Sequence, residues 1–314
     1  MNGVPDESIE IMLSSIAPST LKQYNSALKQ WYQYCNNNKN AEFYKPTRFS
    51  LLKYLTFKFN EGASYGSLNT HRSAISLLSQ DKIGEDLQVC KFLKGAYRSR
   101  PSAPKYTSTW DVSVVLRYLE SIDLNAPKVT FKEITEKTVM LIALATAHRA
   151  QTIASIDIRN IKFSPLGAEI LITKLIKTSG PNRPQPCLKL PYFNNSRLCV
   201  ASALDRYLKY TEKIRGNVTE LFIALKGPIK HVGTQTISRW LKGVLKDSGI
   251  DTEIFSGHSV RHAATSFAYS KKVDIDTITS TVGWTKDSQV FAKFYNRPIL
   301  SKGHSFAQVV FQQE

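Results

Sequence analysis

Six side chains in the C-terminal two thirds of this 314-residue chain are of types that act on a phosphodiester: two arginines, a lysine, a histidine, a tryptophan and a tyrosine. Arg149 follows the apolar run VMLIALATAH. An arginine beside a buried helix needs an anionic partner, either a bound anion or a structural acid such as Asp157. Lys174 and Lys177 lie in AEILITKLIKT, whose alternation predicts a strand running into the turn-rich SGPNRPQ; lysines there are ordinarily solvated edge charges. In GHSVRH, His258 and Arg261 stand three apart and share one side of a helix start. Trp284 follows Gly283 and offers one N–H donor. Tyr295 lies in TVGWTKDSQVFAKFYNRP, residues 281 to 298, among Phe291, Phe294, Lys286, Lys293 and Arg297. Taken singly, packing or a solvated face accounts for each residue.

Their joint chemistry is more specific. Attack on a phosphodiester builds negative charge on the equatorial oxygens, and fixed guanidiniums are bidentate partners for that charge. A phenol with an ordinary pKa of about 10 is protonated near neutrality, and needs a base or a cationic surround to become a nucleophile. An imidazole can take that proton. The sequence contains no GxxxxGK followed by Ser or Thr, no HExxH, no EF-hand loop and no close carboxylate cluster. The chemistry is therefore expected to run on cationic side chains, with neither cofactor nor metal.

In this order within one basic region, the arginine, the hairpin lysine, HxxR, Gly-Trp and FYNRP resemble the tyrosine recombinase (phage integrase) superfamily, over essentially the whole chain. KTSGPNRP, GHSVRHAATSFA and VGWTKDSQVFAKFYNRP are most similar in texture to recombinases of eukaryotic mobile elements, DIRS-like or Crypton-like. The resemblance implies that Arg149 and Arg261 clamp the non-bridging oxygens of the scissile phosphate. It implies that Lys177, a better match than Lys174, protonates the leaving 5′ oxygen. By the same likeness His258 is the HxxR histidine, Trp284 holds a position occupied by His or Trp, and Tyr295 is the nucleophile that forms a 3′-phosphotyrosyl bond. Two departures stand out: Thr152 occupies a position where many members carry an acid, and the interval from Trp284 to Tyr295 is longer than in bacterial members. His148 and His262, which flank the arginines, read as structural. The competing readings are a type IB topoisomerase-like relaxing enzyme and a domesticated DNA-binding protein that has lost cleavage.

The elements that must position these groups fall into a helical part and a mixed part. Residues 19–97 read as helices: STLKQYNSALKQWYQYC with Ser19 as N-cap, FSLLKYLTFKF stopped by NEG, SLNTHRSAISLLSQ with His71 and Arg72 near its polar edge, and DLQVCKFLKGAYRSR. RSRPSAPKYTSTW interrupts the periodicity, and a linker is expected at 98–109. Helices DVSVVLRYLESI and EKTVMLIALATAHRAQTIASI follow, then the strands AEILITKLIKT and PCLKLPYF, then helices to the end. The expected fold is mainly α with a small antiparallel β-sheet. Its parts are an N-terminal helical domain at 1–97 and a mixed α+β domain at 110–314, which the resemblance makes a SAM-like core-binding domain and a tyrosine recombinase catalytic domain.

Bulk composition fits a nucleic-acid partner. Lys and Arg number 42 against 25 acids, a net charge of +17, to which residues 1–107 contribute +6 (14 basic minus 8 acidic) and the rest +11 (28 minus 17). Such a field suits phosphate neutralisation by counterion release, and double-stranded DNA is the expected partner. The most apolar run, VMLIALATA, is far short of the roughly 20 residues a bilayer requires, so no membrane partner is expected. MNGVPDESIE lacks a signal-peptide core. Cys35, Cys90, Cys187 and Cys199 form no CxxC pair and read as fillers in a reducing compartment. The resemblance further implies a homo-oligomer, a dimer on a site and a tetramer in synapsis. It puts the protein in the nucleus if the host is eukaryotic and in the cytoplasm otherwise. In the tail ILSKGHSFAQVVFQQE, Phe306, Val309, Val310 and Phe311 either dock on a neighbouring protomer or pack in cis.

Overall fold

The computed structural model describes residues 5–38, 42–79, 81–101, 104–285 and 291–300. Lys286 and the tail with Phe306, Val309, Val310 and Phe311 lie outside the described residues, as does the side chain of Lys293. The chain divides into two compact units, Met1–Ala103 and Pro104–Glu314.

The first unit is helical. After α1 (Asp6–Ser14), helices α2 (Pro18–Asn37), α3 (Arg48–Asn60), α4 (Tyr65–Ser76) and α5 (Leu87–Ser99) enclose Trp31, Leu51, Tyr54, Leu55, Leu68 and Ile75. The cap of α2 is Ala17, not Ser19. Pro18 takes the first helical position, where its missing N–H costs nothing, and this moves Ser19 inside the helix. A reciprocal capping box of Thr47 and Ser50 starts α3. His71, read as lying near a polar edge, is buried, and its ring is hydrogen-bonded with the Tyr54 hydroxyl at 3.0 Å. That partner is what lets an imidazole face inward.

The second unit is built on α7 (Phe131–Thr146), which is buried nearly all round and started by a Thr130–Glu133 capping box. Helices α6 (Val112–Ser121), α9 (Val200–Thr211), α10 (Thr234–Asp247) and α11 (Ser259–Ser270) surround it, with the shorter α8 (Ala150–Ala154) and α12 (Ile275–Thr281). Strands β2 (Ile161–Ser164), β3 (Gly167–Leu171) and β4 (Cys187–Pro191) form an antiparallel sheet in the order β2-β3-β4. Within it Ala168 faces Leu190 and Ile170 faces Leu188 across the β3–β4 pair, all four buried. A second, two-residue parallel pairing joins β1 (Thr109–Trp110) to β5 (Ile299–Leu300). The architecture is mainly α with a small antiparallel sheet, as the sequence pattern predicts.

Four local readings change. The segment read as one helix over 136–156 breaks at Ala147, which adopts φ 48° and ends α7. The strand read over 168–178 stops at Leu171, and Lys174 and Lys177 lie in the connection between β3 and β4. The ladder ends where the Ile172 N–H reaches the Pro186 carbonyl, because Pro184 and Pro186 have no N–H to return. IKFS, not anticipated as a strand, is β2. The segment read as a linker at 98–109 begins within the last turn of α5, and its end, from Tyr106, is packed in the second unit's core. Among the described residues no helix is long and apolar enough to cross a membrane.

Candidate active site

The break after α7 sets the position of the first arginine. Ala147 turns the chain through a left-handed conformation, and its carbonyl accepts a hydrogen bond from Arg261 Nη1 at 2.7 Å. Arg149 then stands at the N-cap of α8, half-buried, without a side-chain cap bond. The structural acid considered for it is taken. Asp157 accepts a two-pronged bond from Arg159, Nε to Oδ1 at 2.9 Å and Nη2 to Oδ2 at 2.7 Å. Among the described residues Arg149 has no ion-pair partner. Thr152, one turn along α8, is buried.

The second arginine and the histidine come from the start of α11. Gly257 permits the approach: a Cβ there would meet the Ser238 carbonyl of α10 at 2.5 Å. His258 is the residue before α11, and Arg261 lies in its first turn, 2% exposed. Arg261 also lies 4.8 Å from the Trp284 ring and 5.3 Å from the Tyr295 ring. The segment before α6 braces this turn from behind. The Tyr106 hydroxyl is 2.7 Å from the Ser256 hydroxyl, and Trp110 Nε1 donates to Ser259 Oγ at 2.9 Å.

Tyr295 closes a five-residue π-helical turn, Phe291–Tyr295, whose Asn296 N–H reaches the Phe291 carbonyl at 2.8 Å. Phe291 and Tyr295 pack on Ile278 of α12. Ser266 of α11 fastens the turn: its Oγ donates to the Tyr295 carbonyl at 2.6 Å and accepts the Arg297 N–H at 3.0 Å. One residue after Arg297, the Pro298 carbonyl accepts the Thr109 N–H, and β5 begins. The phenol ring is therefore held within its own chain. It stacks on His262 at 4.2 Å between centroids and 18° between planes, with Trp284 at 4.8 Å and His258 at 6.4 Å. Gly283, at φ 71°, makes the turn that delivers Trp284.

The two lysines separate clearly. Lys174 Nζ is paired with Glu220 at 2.6 Å. Lys177 is exposed and, among the described residues, has no acidic partner; its backbone N–H is held by Gln151 Oε1 of α8 at 3.3 Å, which links its loop to the Arg149 helix. The loop braces itself through Ser179, which accepts the Ile176 N–H and donates to Gln185.

The electrostatics register this convergence. The pKa of His258 lies below the ordinary histidine value, first through desolvation, then through the charges of Arg261, Arg149, Lys105 and Lys177. The His258 side chain is exposed on the surface, within reach of a ligand. Burial, and next Arg149, lower Arg261 to about 10, while the neighbouring Tyr295 hydroxyl opposes the shift; the guanidinium stays protonated near neutrality. Burial likewise lowers His148 and His262 to about 4, so both are neutral. Three buried polar atoms around Tyr295 lack a hydrogen-bond partner among the described residues: Arg261 Nε, Trp284 Nε1 and His262 Nδ1. Unsatisfied buried donors beside an uncompensated cluster of cations are what a site for an oxyanion presents before the anion arrives.

All six predicted residues lie in the second unit. The Tyr295 ring is in contact with Arg261, Trp284 and His258, Arg261 also lies over the Trp284 ring, and the positive charges of Arg149 and Lys177 act on the His258 imidazole. Sequence reasoning missed Lys105, placed in a linker, and Gln151 and Ser266, whose roles are purely positional. It also took His262 for a bystander, although its ring covers the phenol. The only available signal for His262 was its place directly after Arg261.

Comparisons with known proteins point to one family. The sequence profile of the phage integrase family matches residues 119–299. No curated protein matches the chain in sequence. Among solved structures, the chain is similar to the XerH site-specific recombinase bound to palindromic difH substrate in a post-cleavage complex, at 18% identity and a TM-score of 0.60, covering 87% of this chain and 75% of that one. It is similar to a lambda integrase tetramer bound to a Holliday junction at 16% identity and a TM-score of 0.57, covering 96% and 78%. The Tn1549 transposon integrase in complex with transposon right-end DNA matches at 13% identity and a TM-score of 0.52, covering 84% and 83%. At such identities these likenesses establish a shared fold.

Proposed function

Because the chain belongs to the phage integrase family, we propose that it is a site-specific DNA recombinase that cuts and rejoins double-stranded DNA through a covalent bond to Tyr295. The observation that carries this reading is the placement of the Tyr295 ring among Arg261, Trp284, His258 and His262, with the charge of Arg149, which has no ion-pair partner among the described residues, acting on His258 and Arg261.

The step balances without a co-reactant. The phenolic oxygen of Tyr295 attacks phosphorus and gives up its proton to His258. The bond from phosphorus to the 5′ oxygen breaks, and Lys177 supplies the proton that oxygen needs. Arg149, Arg261 and the Trp284 indole N–H take the charge on the non-bridging oxygens. The 3′-phosphotyrosyl ester keeps the energy of the broken bond, so a 5′ hydroxyl from a second strand can reverse the reaction on a new partner. The first unit is read as a second DNA-gripping part, with a dimer on each site and a tetramer during exchange; lambda integrase has been seen as a dimer bound to a core site and as a tetramer bound to a Holliday junction. On the sequence resemblance alone, the proposal extends to a mobile-element recombinase working in a nucleus.

The test is a duplex nicked next to the cleavage site, so that the released oligonucleotide diffuses away and the covalent adduct accumulates. The wild-type chain is expected to form the adduct and Tyr295→Phe none. Salt-sensitive binding by wild type with no adduct, or an equal adduct from Tyr295→Phe, overturns the proposal.

A further inference from the structure

A fourth cation reaches this site from a segment to which the catalytic roles assign nothing. Lys105 is exposed, with its Nζ 3.5 Å from the hydroxyl of Ser256, two residues before His258. Among the described residues it has no acidic partner. The backbone that carries it is pinned. Tyr106, 5% exposed, stacks on Phe255, sets its ring edge-on to His262, and accepts the Ser256 N–H at 3.3 Å. Further along, Trp110 holds Ser259, and Ser259 Oγ donates to the Ser256 carbonyl at 2.7 Å. Lys105 is therefore fixed to the same turn that carries His258 and Arg261.

The charge count gives this cation something to bind. Arg149, Arg261, Lys177 and Lys105 all act on His258. One phosphodiester carries a single negative charge, which the two arginines and Lys177 already exceed. A DNA strand presents its next phosphate within one residue step, about 3.4 Å along the axis.

We propose that Lys105 binds the phosphate adjacent to the scissile one, making residues 105–110 part of the DNA site. Tyr106 is then a positioning residue that orients Lys105 against the α11 turn. The inference rests on the recombinase reading only for which phosphate is scissile.

The experiment measures binding by the full chain to a duplex in which single phosphates are replaced by neutral methylphosphonates. Lys105→Gln is expected to reduce the slope of log affinity against log salt by about 0.9, so that its loss is roughly 3- to 4-fold greater at 50 mM than at 200 mM salt; Lys105→Arg is expected to restore the slope. Arg261 still holds the scissile phosphate in Arg149→Gln, so the phosphate whose neutralisation is least additive with Arg149→Gln marks the scissile position. The one whose neutralisation adds nothing to Lys105→Gln is expected to be its immediate neighbour. An unchanged slope, losses additive with Lys105→Gln at every phosphate, or a non-additive phosphate elsewhere overturns the inference. Because these readouts are of binding, they decide the matter whether or not wild type forms the covalent adduct, and failure of the adduct counts against the recombinase reading alone.

Discussion

Replacing Ser266 by alanine isolates how the nucleophile segment is held. Ser266 is 2% exposed and makes two bonds to the backbone of that segment, donating to the Tyr295 carbonyl and accepting the Arg297 N–H. Alanine leaves the Tyr295 carbonyl buried and unpaired, a cost of about 1–3 kcal/mol; the half-buried Arg297 amide can turn toward water and adds less. At 1.4 kcal/mol per factor of ten, the equilibrium for opening residues 291–300 rises about 5- to 150-fold. The effect is expected to stay local, because both side-chain bonds of Ser266 among the described residues go to this segment. Amide hydrogen exchange of the full chain reads it directly. Peptides covering 291–300 should lose protection by that factor while those of α7 change little, and adduct formation on a nicked duplex should slow. Unchanged exchange in 291–300, or an equal loss across the whole second unit, would refute the reasoning.

Other perturbations separate the remaining groups. Lys174→Ala breaks an exposed pair with Glu220 worth about 0–1 kcal/mol and should leave cleavage near wild type, whereas Lys177→Ala should slow it by about 100-fold or more; a substrate whose leaving 5′ oxygen is replaced by sulfur, which departs without a proton, should restore the Lys177 variant, measured by adduct rate. Arg149→Ala relieves a repulsion on Arg261 and should melt no lower than wild type, and slightly higher at low salt, while failing to cleave; Arg261→Ala, which strips the bond to the Ala147 carbonyl, should also fail to cleave and melt lower. His148 and His262, lowered to about 4 by burial, take up protons in the unfolded chain first. Stability is therefore intact above about pH 6.5 and falls as pH drops toward 4, by roughly 3 kcal/mol for each histidine, with His71 and His258 adding in the same direction. Urea midpoints across that window check this, and a flat profile would count against burial as the cause.

Much of the candidate site was legible because its groups are rare types in a fixed order: an arginine after an apolar run, HxxR, Gly-Trp, and a tyrosine between aromatic anchors. The fold class was legible from periodicity, which is strongest in α10, α9 and α6. What the sequence concealed was set by tertiary contact. Nothing in ALATAHRAQ announces a break, since alanine is the best helix former; the left-handed turn at Ala147 exists alongside an arginine 114 residues away that bonds its carbonyl. The alternation in AEILITKLIKT continues past Leu171, but a strand needs a partner, and the proline-rich return provides too few N–H groups. Lys105 looked like linker charge because its partner, Ser256, is 151 positions on.

The two arginines divide the work of an oxyanion site in a way that residue type alone does not reveal. Arg261 is sunk into the protein and spends one donor on the end of α7, so its charge and the geometry of the break are fixed together before any substrate arrives. A guanidinium placed this way costs little reorganisation when charge develops beside it, which is the condition for strong electrostatic stabilisation. Arg149, half-buried at the far side of the same break, spends nothing on the protein among the described residues. Burying a cation beside other cations destabilises the unliganded fold, and Arg149 is the second cause lowering Arg261. That repulsion is relieved only by an anion between them. The fold thus stores, beside one strained turn, an electrostatic cost that the proposed phosphate would release on binding, and the neutral histidines on either side keep it from growing larger.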